Sequence, residues 1–256
     1  MTLYKLRIRY SLPWLSDWHV GSGFGSVAVD RLSRKCSIGG KDTPYVPGSQ
    51  LKGVVRQACE ELAATLGMAV VDIHGIDGDA NEELVQTFTP ASLSPLLIDR
   101  LFGSRYSGEC LFFSNAQPAK NRPGELPVVM RNSIDRATGT AAAQKLFSTE
   151  IVPSNSYLLL GEIEAVHHEK QLTPSGASGA FPYEYSLLVA AFQMTEALGG
   201  DRSTGRGRVV PMIESIRWRS PDRQVWEDLS VDDALKPIAD DDDLATLIEM
   251  AREEIL

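Results

Sequence analysis

The chain has 256 residues, of which 43% are hydrophobic, and a formal net charge of −9. That length and apolar content support one large folded domain or two small ones. The three cysteines, Cys36, Cys59 and Cys110, are widely spaced with no CxxC pair. This spacing argues against a zinc site or a disulfide framework and fits reduced thiols in a cytoplasmic protein. No apolar run approaches the roughly 20 residues that a membrane span needs, so no membrane partner is expected.

An acidic total would seem to exclude a nucleic-acid partner, but the charge is unevenly placed. Residues 227–256 hold 11 of the chain's 34 acids and 2 of its 25 bases. Residues 1–226 therefore carry 23 of each and are neutral, with their arginines and lysines clustered locally. A nucleic-acid groove needs local positive potential, not a basic total.

In chain order, the opening MTLYKLRIRYSLPW alternates polar and apolar residues. It reads as a strand and not as a signal peptide, with Lys5, Arg7 and Arg9 on one face. The loop WHVGSGFGSVAVDRLSRK follows, and then a predicted helix from about Gly48 to Leu66. Its apolar residues Leu51, Val54, Val55, Ala58, Cys59, Leu62 and Leu66 recur at helical spacing. Residues 68–92 read as a polar loop, SLSPLLIDRLFG as a short helix ending at Gly103, and GECLFFSNAQ as a strand. Residues 128–166 read as a long excursion flanked by strands, and YLLLGEIEAV, from Tyr157, as the returning strand. TPSGASGA is a small-residue linker. FPYEYSLLVAAFQMTEAL reads as a buried helix capped by Gly199 and Gly200. RVVPMIESIRWRS reads as a last strand interrupted by Pro211, and DDDDLATLIEMAREEIL as an acid-capped amphipathic helix. Strand, helix, strands, helix, strand predicts an α+β, ferredoxin-like sheet.

Two glycine-bearing basic segments stand out. In PYVPGSQLKGVVR, Ser49 is a plausible helix N-cap, and Lys52 and Arg56 share a face near the N-terminus, where the dipole favours anions. Gly53 inside the first turns costs roughly 1 kcal/mol relative to alanine, which close approach of a ligand backbone would explain. GGDRSTGRGR carries Arg202, Ser203, Arg206 and Arg208 among four glycines. It lacks the lysine of a Walker A loop, and a strand follows it instead of the helix a dinucleotide fingerprint needs. Together the two segments have the chemistry of gripping a phosphate backbone, against the plainer alternative of a helix start and a tight turn with solvated charges. His19 is open to two readings, a general base or a locally hydrogen-bonded residue. Asp30, alone on its loop, reads by itself as a solvated charge. Arg131, Arg136 and Lys145 lie in a stretch that also fits an ordinary hairpin. His167 and His168 have no metal-binding context.

In sequence order, HVGSG (19–23), PYVPGSQLKG (44–53), LFG (101–103), IDRATGTA (134–141), LFSTEIVP (146–153) and GGDRSTGRGRV (199–209) resemble the RAMP superfamily of CRISPR-associated proteins, and most of all the repeating backbone subunit of type III effector complexes. The resemblance implies a modified RRM-like core with a lid and a thumb hairpin near 128–157, a domain over 1–226, and an acidic helical appendage over 227–256. It implies binding along a CRISPR guide RNA, pairing of that guide with a complementary target RNA, and association with other effector subunits, including further copies of the same chain. Sequence is then read by base pairing while protein holds the backbone. RNA-contacting positions would be His19, Ser49, Lys52, Arg56, Arg131, Arg136, Arg202, Ser203, Arg206 and Arg208. By position between HVGSG and PYVPGS, Asp30 corresponds to the family's catalytic aspartate, which supports target cleavage with a divalent metal, Mg²⁺ by preference; Asp42 in the same segment is the competitor. The products would carry a 2′,3′-cyclic phosphate and a 5′-OH. Two other roles stay open within the same resemblance: a non-catalytic structural subunit, and a guide-processing endoribonuclease with His19 as base.

Overall fold

The structure is a computed structural model and describes residues 4–68, 97–103, 108–119, 126–167, 180–220 and 225–239. The alternation of Tyr4–Leu12 makes strand β1, which buries Leu6, Ile8, Tyr10 and Leu12 on one face. It is the middle strand of the sheet. It pairs antiparallel with β8 (Leu159–His167) on one side and with β9 (Met212–Arg219) on the other. The sheet is completed by β4 (Leu111–Phe113) and β5 (Gln117–Pro118) against β8, and by β10 (Glu227–Leu229) against β9.

Helix α1 (Gly48–Thr65) lies in sequence between β1 and β4, and α3 (Tyr183–Gln193) between β8 and β9. The core strand order, β9-β1-β8-β4, with these crossovers is that of a ferredoxin-like α+β fold, as expected. The apolar stripe of α1 (Leu51, Val55, Cys59, Ala63) and nearly the whole of α3 close over one face of the sheet. A short helix, α2 (Leu97–Phe102), joins this layer through a buried Arg100–Glu184 ion pair of 2.6 Å. The opposite sheet face is exposed and mixed, with Phe112, Leu160 and Val166 on it, and cross-strand ion pairs run across it: Arg7–Glu164 and Arg7–Glu162 at 2.6 Å, Arg9–Glu162 at 3.2 Å. The Trp226 ring lies against both Arg7 and Arg217 at 5.7 Å.

Two hairpins stand apart from this sheet. β2 (Lys35–Ile38) pairs with β3 (Lys41–Pro44), and β6 (Val128–Ile134) pairs with β7 (Ala141–Glu150). The second falls within the excursion expected over 128–166. Its side chains are mostly exposed until Ser148, Thr149 and Glu150, which are buried where β7 reaches the body.

Several local expectations are corrected. The N-cap of α1 is Pro47, not Ser49, which sits exposed in the first turn. The orphan amide of Gly48 is satisfied by the Asn115 side chain at 2.9 Å instead. Gly199 and Gly200 do not cap α3, which ends at Gln193 with Met194 as its C-cap. Thr195 turns its hydroxyl back onto the Ala191 carbonyl there, and Leu198 is apolar because it is buried beyond the helix. The last core strand starts after Pro211 and is not interrupted by it. The segment from 227, expected as a helical appendage, is drawn into the fold along its described part. β10 extends the sheet, and α4 (Val231–Ala239), capped by Ser230, packs against α3 with Ala234 fully buried. The acidic helix expected over 240–256, most of the 68–92 loop and all but the last residue of the 173–180 linker lie outside the described residues.

The two early glycines of α1 behave oppositely. A Cβ on Gly48 would sit 2.0 Å from the Phe113 carbonyl oxygen, whereas one on Gly53 would meet no protein atom within 4 Å. Gly48→Ala is expected to destabilise the chain by about 1–3 kcal/mol through overpacking. Gly53→Ala is expected to stabilise it by up to about 1 kcal/mol, the intrinsic helix gain. Urea denaturation of the two variants checks the pair.

Candidate functional site

Because β1 runs antiparallel to both neighbours, its end lies beside the starts of β8 and β9. Three connections therefore meet at one end of the sheet: residues 13–34 after β1, residues 151–158 before β8 and residues 194–211 before β9. The first is gripped from both sides by backbone hydrogen bonds. On the glycine-loop side, Leu15 N–H donates to the Arg208 carbonyl (2.8 Å), Gly207 N–H to Asp17 (2.9 Å) and Gly200 N–H to His19 (2.8 Å). Toward the hairpin, Trp18 and Val152 exchange bonds of 2.9 and 2.8 Å, Arg31 N–H donates to Ser148 (3.1 Å) and Glu150 N–H to Arg31 (2.9 Å).

The glycines permit this closeness. Gly199 (φ 93°) and Gly207 (φ 74°) lie in the left-handed region. A Cβ would stand 2.4 Å from the His19 carbonyl oxygen in one case and 2.1 Å from that of Leu198 in the other.

His19 is buried at this junction, with 1% of its surface exposed. Its Nδ1 lies 2.8 Å from the Glu150 carbonyl and 3.1 Å from Ser33 Oγ. A carbonyl only accepts, so Nδ1 carries the proton and Nε2 keeps its lone pair, which has no hydrogen-bond partner. Burial chiefly, and the neighbouring Arg31 charge, lower the imidazole pKa against the raising pull of the Glu150 carbonyl. The ring is therefore neutral near pH 7.

Around Asp201 the chain collects three guanidiniums. Arg31 Nη1 reaches Asp201 Oδ1 at 3.2 Å, while Arg131 and Arg206 reach Oδ2 at 3.1 and 3.6 Å. These come from the loop after β1, from β6 of the hairpin and from the glycine loop. Asp201 itself is left-handed (φ 61°), a conformation that aspartate and asparagine tolerate better than most residues. Burial works against its charge, but the Arg31 hydrogen bond and the three positive charges outweigh it, and its pKa is lowered.

Asp30 is exposed one residue before Arg31. Its Oδ2 accepts hydrogen bonds from the Ser148 amide (2.7 Å) and hydroxyl (2.8 Å), and its own amide donates to Ser148 Oγ at 3.0 Å. These bonds, the Ser148 amide first, lower the Asp30 pKa. The carboxylate is thus held ionised against the buried base of β7, with Oδ1 open. Asp42 lies exposed on the β2–β3 hairpin.

The other expected residues fall in separate places. Arg202, Ser203 and Arg208 are exposed on the glycine loop, and Arg136 is exposed at the hairpin tip. Lys52 is ion-paired with Glu109; Arg56 is paired with Glu60 at 2.9 Å and lies over the Phe102 ring at 5.9 Å. None of these partners belongs to the arginine cluster. Sequence reasoning missed Arg31, Asp201 and Ser148; the only signal was a charged residue directly after a Gly-Gly pair. Among the described residues no group of three or more His, Cys, Asp and Glu side chains could hold a metal ion, and no helix is long and apolar enough to cross a membrane.

A group whose folded pKa is depressed contributes its stability above the unfolded value, near 3.8 here, and loses it as pH falls through the folded value. Ser148→Ala removes the two bonds that use the Ser148 hydroxyl and keeps the amide bond, so the Asp30 pKa is expected to rise toward 3.8 while the fold near pH 7 is retained. A carboxyl-carbon NMR titration reads this directly, and an unmoved titration would mean that the Ser148 hydroxyl does not contribute to holding the charge.

A search of curated proteins returned no match. The sequence model of the RAMP superfamily matches residues 12–210, a span that begins at the end of β1 and contains the gripped loop, α1, the β6–β7 hairpin and the whole glycine loop. With that match over most of its length, the chain belongs to the RAMP superfamily, and so to the RNA-binding modules of CRISPR-associated complexes.

Proposed function

We propose that this chain is a guide-RNA-binding backbone subunit of a type III CRISPR effector complex that cleaves complementary target RNA, with Asp30 as the catalytic residue. The observation that carries the reading is the placement of Asp30. Its carboxylate is ionised, exposed and fixed by Ser148 to the base of a projecting hairpin, and the next residue enters a cluster of three arginines. The arginine cluster and the exposed Arg202 and Arg208 offer fixed positive charge to an RNA backbone although the whole chain is acidic. Gly53, which no protein atom crowds, leaves room on α1 for close approach of that backbone.

The reaction proposed is attack of a ribose 2′-OH on the adjacent phosphorus. The 2′-O–P bond forms, the P–O5′ bond breaks, the 2′ proton is lost, and the leaving 5′ oxygen is protonated. The hairpin's part is to hold the target strand bent so that 2′-oxygen and leaving oxygen stand in line. The arginines balance charge that builds on the phosphoryl oxygens. One open carboxylate oxygen is a sparse donor set, and it fits Mg²⁺, which is typically held by one or two carboxylates with RNA phosphates and waters as the remaining ligands. Asp30 would hold that ion, whose contribution is to polarise a phosphoryl oxygen.

The lone carboxylate also favours a second reading, a structural subunit that binds guide without cleaving. Guide processing with His19 as base is disfavoured by the burial of the His19 ring, which is 1% exposed.

Asp30→Ala in the assembled complex is expected to lower cleavage of end-labelled complementary RNA by at least about 100-fold while guide and target binding change little, since affinity comes from backbone contacts and base pairing. Asp42→Ala is expected to retain cleavage. Full cleavage by the Asp30→Ala complex, in a preparation free of other nucleases, would select the structural-subunit reading.

A further inference from the structure

The arginine cluster is built around a carboxylate that does not saturate it. Three guanidiniums face one Asp201, and the closest approaches are 3.1–3.6 Å. Arg206 Nη1 is buried without a hydrogen-bond partner, and so is Asp201 Oδ2. The Arg206 side chain is only 15% exposed, so its donor is not simply turned to water. Such an arrangement leaves a buried donor and the carboxylate oxygen it faces, 3.6 Å apart, poorly matched in a site where like charges are pressed together, and a buried polar group without a partner is costly. A phosphate presents more acceptor oxygens than a carboxylate, and arginine's planar fork matches it.

The three arginines also come from segments with no common element: residue 31 after β1, residue 131 on β6 and residue 206 in the glycine loop. Without an anion between them their mutual repulsion would spread the hairpin, the loop and the glycine turn apart. Asp201 is the one carboxylate among the described residues that is ion-paired with all three. It sits on a turn rather than in a regular element, in a left-handed backbone conformation that asparagine shares. Its removal as a charge therefore need not disturb the loop's path.

We propose that Arg31, Arg131 and Arg206 form a binding site for a single phosphodiester group, and that Asp201 is an internal surrogate for that phosphate which keeps the site assembled while no RNA is bound. The inference rests on the reading of this loop as an RNA-backbone site and adds where one phosphate sits and what occupies its place beforehand. On RNA binding the phosphate takes over the guanidinium donors and Asp201 yields them. The site is thus assembled before the ligand arrives, at the cost of one negative charge that the ligand must displace or share.

The test separates the anion site from RNA binding. In chloride, Asp201→Asn is expected to melt about 3 °C or more below the wild type, roughly the shift of a kcal/mol-scale loss in a chain of this size. At equal ionic strength in inorganic phosphate the variant is expected to regain most of that loss, whereas the wild type moves little. Adding Arg206→Ala to Asp201→Asn is expected to abolish the phosphate rescue. With single-stranded RNA as the second probe, the Asp201→Asn variant is expected to show a steeper salt dependence of binding than the wild type, by about one unit of slope, because one more net positive charge faces the backbone. Equal melting of both proteins in chloride, or equal stabilisation of both by phosphate, would overturn the proposal. Phosphate rescue together with no RNA binding by either protein would keep the anion site and instead overturn the RNA-backbone reading on which it rests.

Discussion

The position of β1 in the middle of the sheet is the constraint on which everything functional depends. A strand flanked on both sides by antiparallel neighbours delivers its own exit and its neighbours' entrances to the same end of the sheet. The loop after β1, the base of the hairpin and the glycine loop are therefore brought together by core packing of Leu6, Ile8, Tyr10 and Leu12, residues that touch no ligand. The proposed site then draws on positions 30, 148 and 201, which no local rule would join.

At that end the protein packs like charges together and restrains them with few counter-charges. Such sites are unfavourable in isolation, because guanidiniums at short range repel and their desolvation is not repaid. Here Asp201 offsets part of that repulsion, and backbone hydrogen bonds hold the loops beside it: Gly200 to His19, Gly207 to Asp17, Trp18 to Val152. The total charge of −9 is compatible with an RNA partner because the acids concentrate in the C-terminal segment, while the interface keeps its positive field locally.

What the sequence made legible was what local periodicity encodes. Period-two alternation placed β1, and 3.6-residue spacing placed α1 to within a residue of its observed end. Of the family motifs, HVGSG, LFSTEIVP and GGDRSTGRGRV meet at one end of the sheet, in the connecting segments where function accumulates on a scaffold of this kind. Failures occurred where tertiary contacts override local signals. Leu198 looked helical because it is apolar, yet its apolarity answers to burial past the helix end. Ser49 looked like a cap, but the helix starts earlier, after Pro47, and its first amide, that of Gly48, is taken by Asn115, 67 residues away. Asp30 read alone as a solvated charge, because its partner Ser148 lies 118 residues on. Arg31 and Asp201 are 170 residues apart, a pairing that no spacing rule in a single sequence reveals.

The sheet's outermost strands are short: β10 and β4 have three residues each and β5 has two. The edge strands themselves therefore present little unpaired backbone, which blunts edge-to-edge association, although β10 covers only Ile216–Trp218 of β9. Among the described residues the longest unpartnered strand edges belong instead to the β6–β7 hairpin, which also exposes Val128, Met130, Ile134 and Leu146. Aggregation pressure in a preparation lacking its partners is thus displaced from the folded body onto the projecting hairpin, whose apolar surface and strand edges the other described residues leave largely uncovered.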